Sequence, residues 1–335
     1  MAQLVLGMGM AHSPMVILED TLWQDYAVQL DYTSPLLIDT TGKPVTYTQL
    51  VEQVGDRFAQ QATPQVWKQQ YTAARQAVAR LADDVAAAQL DVLVIIGDDQ
   101  LELFSYANMP ALSIYYGDKI QSGLVPGRYH VSETIRQGIA KGYAMDAHHE
   151  FASAPAFARE LLESLIEQGF DVGGHREMPV TGEAQGIGHA YGIMVTQLLA
   201  NKPIPIVPVL VNTYYPPSQP TPSRCYDLGR ALRRAIEQSP ANLRVGMVAS
   251  GGLSHFVTDE DLDHKVLSAL RERSEEQLRT LPRHLLNSGS SEIRNWVVVA
   301  AACEHLNYAW DEYIPVYRTA AGTGCGLAFA SWLEM

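Results

Sequence analysis

Short apolar runs recur along the chain and predict the strands of a buried sheet. Residues 92–96 are consecutive aliphatic positions, and Gly97 follows them directly. An unbroken run of this kind is typical of a strand that is covered on both faces. Further strands are predicted at residues 3–10, 108–117, 204–212, 243–250 and 322–333.

Segments with helical periodicity separate these runs. Residues 64–89 are rich in alanine and place Ala77, Leu81 and Val85 on one helical face. Further helices are predicted at residues 131–141, 154–168, 193–200, 223–238, 259–281 and 291–306. The alternation of helix and strand predicts an α/β fold, organised as a single domain over residues 1–335. We expect a central, largely parallel mixed sheet that is flanked by helices.

Residues 17–65 interrupt this alternation. They mix aromatic, polar, proline and glycine positions, and no hydrophobic period persists along the segment. We expect a partly helical excursion over the surface of the domain. A lid over the active site is one interpretation of this excursion.

The composition limits the classes of function. The chain has 335 residues and a formal net charge of −13. Binding to a phosphate backbone requires a concentrated basic surface, so this charge argues against nucleic acids and acidic membranes as partners. No apolar run approaches the ~20 residues that span a bilayer, and the amino terminus lacks the basic start of a signal peptide. The scattered cysteines Cys225, Cys303 and Cys325 predict buried thiols in a reducing cytoplasm.

Polar side chains appear where the predicted strands end. Asp98, Asp99, Gln100 and Glu102 follow the central apolar run, and His12 follows the first strand. Ligands of open α/β sheets bind at the carboxyl ends of central strands. The polar residues at these positions are therefore expected to bind a ligand or take part in catalysis, and not to pack in the core. A solvated acidic turn is the alternative interpretation of the carboxylates after the central strand.

Glycine-rich segments place two more histidines near predicted element ends. His189 lies among glycines directly before a predicted helix, where close approach of a ligand and an anionic group are both favoured. His255 follows a Gly-Gly turn after the strand at residues 243–250. We expect His12, Gln100, His189 and His255 to converge on one crevice at the carboxyl ends of the strands.

Six motifs, in this order along the chain, resemble those of the class III extradiol ring-cleaving dioxygenases. They are Ala-His-Ser-Pro at 11–14, Val-Ile-Ile-Gly-Asp-Asp-Gln at 94–100, Gly-His-Ala-Tyr-Gly at 188–192, Asn-Thr-Tyr-Tyr-Pro-Pro at 212–217, Gly-Gly-Leu-Ser-His at 251–255 and Ser-Gly-Ser-Ser-Glu-Ile-Arg-Asn-Trp at 288–296. This family includes the β subunit of protocatechuate 4,5-dioxygenase and 2,3-dihydroxyphenylpropionate dioxygenase. The motifs span nearly the whole chain, so the resemblance implies the family's α/β fold.

The resemblance implies an enzyme that opens a catechol-like aromatic ring with O₂ at a non-haem Fe(II), or at another divalent metal. The metal ligands of the family fall on His12, Gln100 and Glu292. Its acid/base histidine falls on His255, and its second-sphere histidine falls on His189. The implied partners are a small aromatic substrate and O₂, and a homodimer or a small partner subunit would fit such relatives. Substrate contacts are expected from Asn212, Tyr214 and Tyr215.

Gln100 stands where the family has a histidine ligand. Its amide oxygen is neutral, as imidazole is, but Fe(II) prefers an imidazole nitrogen, so weaker iron binding is expected. Asp99 or Glu102 could supply an oxygen ligand instead, which would favour harder metals. Gln100 could also bind the substrate through a hydrogen bond.

Two other classes of function compete with the dioxygenase. A site with weaker ligands could use a different divalent ion as a Lewis acid in a hydrolytic or lyase reaction. A chain that has lost a ligand could also act as a non-catalytic partner or as a small-molecule-binding subunit. The presence of His12, His189, His255 and Glu292 in their motifs favours the dioxygenase.

Overall fold

The computed structural model describes residues 1–125, 130–178, 186–200 and 203–334. Its strands are β1 Gln3–Met10, β2 Val92–Gly97, β3 Leu112–Tyr115, β4 Lys119–Gln121, β5 Glu150–Ala152, β6 Gly173–His175, β7 Ile206–Val211, β8 Arg244–Ser250, β9 His255–Val257, β10 Asn307–Tyr317 and β11 Thr323–Leu333. Its α-helices are α1 Pro14–Ile17, α2 Trp23–Leu30, α3 Tyr47–Val54, α4 Pro64–Ala88, α5 Glu133–Gly142, α6 Pro155–Glu167, α7 His189–Leu198, α8 Pro222–Gln238, α9 Glu260–Arg271, α10 Glu275–Arg279 and α11 Ile293–Ala302. Short 3₁₀ helices lie at Asp20–Leu22, Asp31–Thr33 and Ser288–Glu292.

The central sheet has the strand order β10-β11-β1-β8-β2-β7-β3-β6, and β9 pairs with β11. β1, β8, β2 and β7 are mutually parallel, whereas β11 runs antiparallel to β1, and β3 runs antiparallel to β7. The structure therefore confirms an α/β fold with a largely parallel, mixed central sheet.

The alternation of side chains along β2 explains why helices cover both faces of the sheet. Val92, Val94 and Ile96 belong to a core that also contains buried residues of α6, α8, α9 and α11. Leu93 and Ile95 point to the other core, which contains buried residues of α2, α4, α5 and α7. Because both faces of the strand are covered, an unbroken aliphatic run is stable there.

Several predicted elements differ from the structure. The predicted helix at residues 259–281 is divided into α9 and α10, because Arg273 adopts a positive φ of 53° between them. The predicted strand at residues 108–117 is limited to β3, which is separated from β2 by β7. The sequence analysis also missed most of β10, whose half-exposed positions give a weaker hydrophobic signal than the buried strands do.

The segment at residues 17–65 is partly helical, as predicted, and packs against the rest of the domain. Leu37 and Leu50 form a small core with Val257 and Ala321. Ser288 Oγ donates a hydrogen bond to the carbonyl of Leu36 at 2.7 Å. The excursion therefore contacts β9 and the 3₁₀ helix at Ser288–Glu292.

A buried ion pair joins the same excursion to the end of β10. Arg318 binds Asp31 through Nε at 2.8 Å and through Nη2 at 3.0 Å, and Thr323 donates a further hydrogen bond to Asp31 at 2.8 Å. Every polar atom of the Asp31 carboxylate is thereby paired inside the protein.

Among the described residues, none of the helices has the length and apolar character needed to cross a bilayer.

Candidate metal and catalytic site

The carboxyl ends of three adjacent parallel strands meet at the candidate site. β8 lies between β1 and β2, and Met10 at the end of β1 pairs with Ser250 at the end of β8. Residues that follow these strands therefore leave the sheet at the same edge. His12 follows β1 at this edge, and Asp98 follows β2.

His12 is oriented by a hydrogen bond to the last residue of β8. Its Nδ1 lies 3.0 Å from Ser250 Oγ, and the same hydroxyl lies 2.6 Å from the backbone carbonyl oxygen of Ala190. Because a carbonyl only accepts, the Ser250 hydroxyl donates to Ala190 and accepts from His12 Nδ1–H. The Nε2 atom of His12 is therefore the one that can bind a metal.

Glu292 faces His12 from the end of the 3₁₀ helix that precedes α11. Its carboxylate is fully buried, and Oε2 accepts a hydrogen bond from the backbone nitrogen of Gly252 at 3.0 Å. Gly251 has a φ of +149°, and a Cβ atom at this position would lie 2.8 Å from the Cβ of Glu292. Glycine at position 251 therefore allows the turn after β8 to approach the carboxylate closely.

His255 reaches the same carboxylate from β9. Its Nδ1 donates a hydrogen bond to the carbonyl of Leu253 at 2.9 Å. Its Nε2 lies 3.2 Å from Glu292 Oε1, and His12 Nε2 lies 3.1 Å from the same oxygen. Tyr214 also donates its hydroxyl to this oxygen at 3.2 Å. Two imidazole nitrogens and a phenol therefore converge on one carboxylate oxygen.

Burial and neighbouring charges set the protonation of this group. Burial alone would raise the pKa of Glu292, but His12 and His255 together lower that pKa well below its usual range. Burial lowers the pKa of His12 and favours its neutral form. Burial also opposes a charge on His255, yet Glu292 and Cys325 raise the pKa of His255 well above its usual value. Glu292 is therefore ionised, and His255 is the imidazole that holds a proton beside it.

Asp98 lies in the same group and is fully buried. Burial and the negative charge of Glu292 raise the pKa of Asp98 well above its usual value. The potential ligand atoms of His12, Asp98 and Glu292 all lie within 4.8 Å of one another. One imidazole and two carboxylates form a donor set that fits a divalent cation. We call these three residues the ligand set.

His189 is the first residue of α7 and forms a buried pair with Glu102. Its Nδ1 lies 2.7 Å from Glu102 Oε1, which also accepts from the backbone nitrogen of His189 at 3.2 Å. A side chain at Gly188 would collide with the Glu102 carboxylate. Burial alone would lower the pKa of His189, but Glu102 and Asp98 raise it to about 9. The imidazole packs edge-on against His12, with 4.6 Å between ring centroids, so a cation lies beside the ligand set.

Gln100, the ligand implied by the sequence resemblance, lies beside the ligand set. Its Nε2 lies 3.4 Å from Asp98 Oδ2 and 3.4 Å from His189 Nε2. The amide nitrogen of Gln100 therefore lies between the Asp98 carboxylate, which can accept its hydrogen bond, and the His189 imidazole.

Asp99 and Glu102, the two carboxylates that could replace Gln100 as a metal ligand, have other partners. Asp99 accepts hydrogen bonds from the backbone nitrogens of Glu102, Leu103 and Phe104, and this caps the turn after β2. Burial and Glu102 raise the pKa of Asp99 to about 7. Glu102 is engaged by His189. Neither side chain belongs to the ligand set, whereas Asp98 of the same turn has a ligand atom within 4.8 Å of those of His12 and Glu292.

The loop that follows β7 lies next to this group through Tyr214. Tyr214 and Tyr215 are both half-buried, with 6.1 Å between their ring centroids. Asn212 uses its side chain within the loop, where Oδ1 accepts from the backbone nitrogen of Tyr215 and Nδ2 donates to Ser218 Oγ at 3.1 Å. Asn212 therefore shapes the loop that presents the two tyrosines, and its predicted contact with substrate remains a prediction.

The sequence analysis missed two residues that hold the histidines in place. Ser250 is a polar residue at the end of an apolar strand, and this position was a usable signal. Asp263 of α9 accepts hydrogen bonds from the backbone nitrogen and the hydroxyl of Ser254, each at 2.7 Å, directly before His255. Burial raises the pKa of Asp263 to about 7. Asp263 lies among other acidic residues of α9, so its sequence context gave no signal of this role.

Comparison with known proteins shows the family to which the chain belongs. A family model described as the catalytic LigB subunit of aromatic ring-opening dioxygenase matches residues 59–328. The chain belongs to this family. The match confirms the resemblance that the six sequence motifs predicted.

One curated relative of this LigB-family chain is the gallate dioxygenase of Pseudomonas putida. It is 39% identical over 108 residues, which are 31% of this chain and 29% of that protein. The aligned part of this chain therefore spans less than a third of the length of the curated relative.

Proposed function

We propose that this chain is a non-haem Fe(II)-dependent, extradiol-type dioxygenase that opens a catechol-like aromatic ring with O₂. The observation that carries the proposal is the convergence of His12 Nε2 and His255 Nε2 on Glu292 Oε1, at 3.1 and 3.2 Å. Both imidazoles donate Nδ1–H to fixed acceptors, so both present Nε2 to the same buried space. When bound, Fe(II) supplies neighbouring open positions for the substrate's two vicinal oxygens and for O₂.

His255 is suited to move a proton between itself and a substrate hydroxyl. Its Nδ1 is committed to the carbonyl of Leu253, so proton exchange is confined to Nε2, which faces the site. The backbone nitrogen of His255 donates to Ser290 Oγ at 3.1 Å, which fixes the residue at a second point. The carboxylate of Glu292 keeps this imidazole protonated, and a cation bound to Glu292 would remove that effect. A positioned imidazole of this kind can then act as a general base and afterwards as a general acid.

His189 is suited to bind an anionic oxygen of the substrate. The Glu102 carboxylate holds Nδ1 at 2.7 Å and keeps the imidazole protonated, so Nε2–H is available as a donor. A buried, positively charged donor stabilises developing negative charge more strongly than it would in water. His189 therefore complements His255, because one residue stabilises charge while the other transfers a proton.

A catechol-like substrate fits the aromatic side of the site. The rings of Tyr214 and Tyr215 provide apolar surface, and the ring of Tyr106 lies 5.4 Å from that of Tyr215 in an edge-on arrangement. Aromatic rings favour such offset and edge-on contacts with one another. The name of the relative from Pseudomonas putida supports gallate, a ring with vicinal hydroxyls, as a first compound to assay.

The excursion at residues 17–65 is proposed as a cover for this site within a single domain. Its core packs on Phe256 and Val257, directly after His255. A chain that lacks residues 36–63 is therefore expected to lose activity, and full activity in that chain would contradict the cover.

A homodimer, a small partner subunit and a cytoplasmic location remain predictions. The free buried thiols Cys225, Cys303 and Cys325 are compatible with a reducing compartment.

Oxygen uptake by protein loaded anaerobically with Fe(II) tests the proposed activity. We expect uptake with at least one vicinal diol among gallate, protocatechuate and catechol, and none with resorcinol, whose hydroxyls are not vicinal. His12→Ala is expected to abolish uptake, because it removes the Nε2 that faces Glu292. No uptake by the loaded parent with any of these diols, or equal uptake by His12→Ala, would overturn the proposal.

A further inference from the structure

The Asp98 carboxylate is buried without the partners that a buried charge requires. Its Oδ1 atom has no hydrogen-bond partner among the described residues. Its Oδ2 atom receives a long hydrogen bond of 3.4 Å from Gln100 Nε2. A fully buried carboxylate is unfavourable unless it is paired, hydrogen-bonded or bound to a metal. The free Oδ1 therefore points to a ligand that completes its coordination.

The neighbours of Asp98 identify that ligand as a cation. The ligand atoms of Asp98, Glu292 and His12 lie within 4.8 Å of one another, and two of these three groups are carboxylates. Like charges at this separation repel strongly in a buried site, and a divalent cation between them reverses the sign of the interaction. His12 offers a fixed Nε2 to the same space.

We propose that Asp98 is the third protein ligand of the metal in this chain, so that one imidazole and two carboxylates bind it. The proposal rests on the proposed function, because it concerns the metal of that same site. It departs from the two-histidine, one-carboxylate ligands that the sequence resemblance implies. The ligand comes from a residue two positions before Gln100, on the same turn after β2.

Gln100 then acts as a positioning residue. Its amide contacts Asp98 Oδ2, which leaves Oδ1 to face the metal, and it lies equally close to His189 Nε2. The chain has glutamine at position 100, where the sequence resemblance implies a histidine ligand. Asp98 of the same turn then supplies the ligand in its place. The resulting set carries one more negative charge than two imidazoles and one carboxylate, and this favours cations that prefer oxygen ligands, such as Mn(II).

Titration of the metal-free full chain with Mn(II) alone tests the assignment without using activity. Free Mn(II) is followed by electron paramagnetic resonance, and the parent is expected to bind one ion per chain. Asp98→Asn keeps the shape of the side chain and removes its charge, and it is expected to weaken Mn(II) binding at least 100-fold. Gln100→Ala keeps Asp98 and is expected to weaken binding less than tenfold.

Thermal unfolding of the same proteins separates a lost ligand from a damaged fold. Metal-free Asp98→Asn is expected to melt at or above the temperature of the metal-free parent, because a neutral amide of the same shape needs no cation at this buried position beside Glu292. Added Mn(II) is expected to raise the melting temperature of the parent and of Gln100→Ala, and to leave that of Asp98→Asn unchanged.

The assignment fails if the parent binds no Mn(II), or if Asp98→Asn binds it within a few-fold of the parent. It also fails if Gln100→Ala abolishes binding, and this outcome can be read even if Asp98→Asn does not fold. Because binding and ring opening are measured separately, either proposal can fail alone. Loss of Mn(II) binding in Asp98→Asn would support the ligand even if no diol were oxidised.

Discussion

His12 and Ser250 are joined by a hydrogen bond of 3.0 Å in which the hydroxyl is the acceptor. The direction follows from the second contact of Ser250, whose proton goes to the carbonyl of Ala190 at 2.6 Å. This chain of two hydrogen bonds fixes both the tautomer and the ring orientation of His12. Ser250 lies outside the six sequence motifs, yet it determines which nitrogen of His12 faces Glu292.

Removal of the Ser250 hydroxyl is expected to weaken metal binding. Ser250→Ala leaves His12 Nδ1 without its acceptor, and loss of such a supporting contact typically costs about 10–100-fold in metal affinity. Titration with Mn(II) measures the change. Ser331→Ala is the matched control, because Ser331 is also buried in a strand and, within the described part of the chain, its Oγ has no hydrogen-bond partner. Equal affinities of the two variants would contradict the role of Ser250.

The charge of His189 is expected to depend on Glu102. In the parent, Glu102 keeps the pKa of His189 at about 9, whereas burial alone would lower it. Glu102→Gln keeps a hydrogen-bond acceptor and removes the negative charge, so His189 loses its proton at a lower pH. The ratio of kcat/KM between variant and parent is then expected to fall as pH rises from 6 to 9, by up to about tenfold per pH unit. A loss that is the same at every pH would show that Glu102 has only a structural role.

Asp263 is expected to make stability decrease as pH rises. Its pKa in the folded protein is raised to about 7, against 3.8 for an exposed aspartate, so ionisation is harder in the folded state. The penalty is absent below pH ~4, grows by about 1.4 kcal/mol per pH unit up to pH ~7, and is constant above that.

Asp263→Asn removes this titration. Urea denaturation at pH 5 and pH 7.5, in the presence of a chelator, is expected to show that the free energy of unfolding of the parent falls relative to that of the variant. A difference between parent and variant that does not change with pH would contradict the raised pKa.

The buried pair of Arg318 and Asp31 is expected to stabilise the excursion strongly. Arg318→Met leaves the Asp31 carboxylate buried without its cation, and breaking such a pair costs about 3–5 kcal/mol. Lys119→Met is the control, because the Lys119–Glu150 pair is exposed, with 77% and 60% of the side-chain surfaces accessible. Exposed pairs contribute about 0–1 kcal/mol. Urea denaturation of both variants checks the contrast, and similar losses would contradict it.

Most of the fold could be predicted because the central strands carry a strong local signal. The aliphatic run at β2 and the alanine-rich α4 are each consistent with the structure on local pattern alone. The break at Arg273 and the long β10 could not be predicted in the same way. A positive φ at a single arginine leaves no mark in the hydrophobic pattern, and β10 is half-exposed along much of its length.

The candidate site could be predicted as far as its histidines and Glu292, because each stands in a motif at the end of a strand or helix. The position of Asp98 beside His12 and Glu292 could not be predicted, because sequence spacing does not show which of several neighbouring carboxylates turns inward. Asp99 caps the turn and Glu102 binds His189, which leaves Asp98 facing His12 and Glu292. The partner of Glu102 depends on a hydrogen bond between distant segments, because 87 residues separate it from His189.

The ring-opening activity is tested most directly by turnover of a vicinal diol under ¹⁸O₂. The Fe(II)-loaded chain is incubated with whichever of gallate, protocatechuate and catechol supports oxygen uptake, and the product is analysed by mass spectrometry. The proposed function predicts a ring-opened product that carries two ¹⁸O atoms from one O₂ molecule. A product with an intact ring, or a ring-opened product without ¹⁸O, would contradict it.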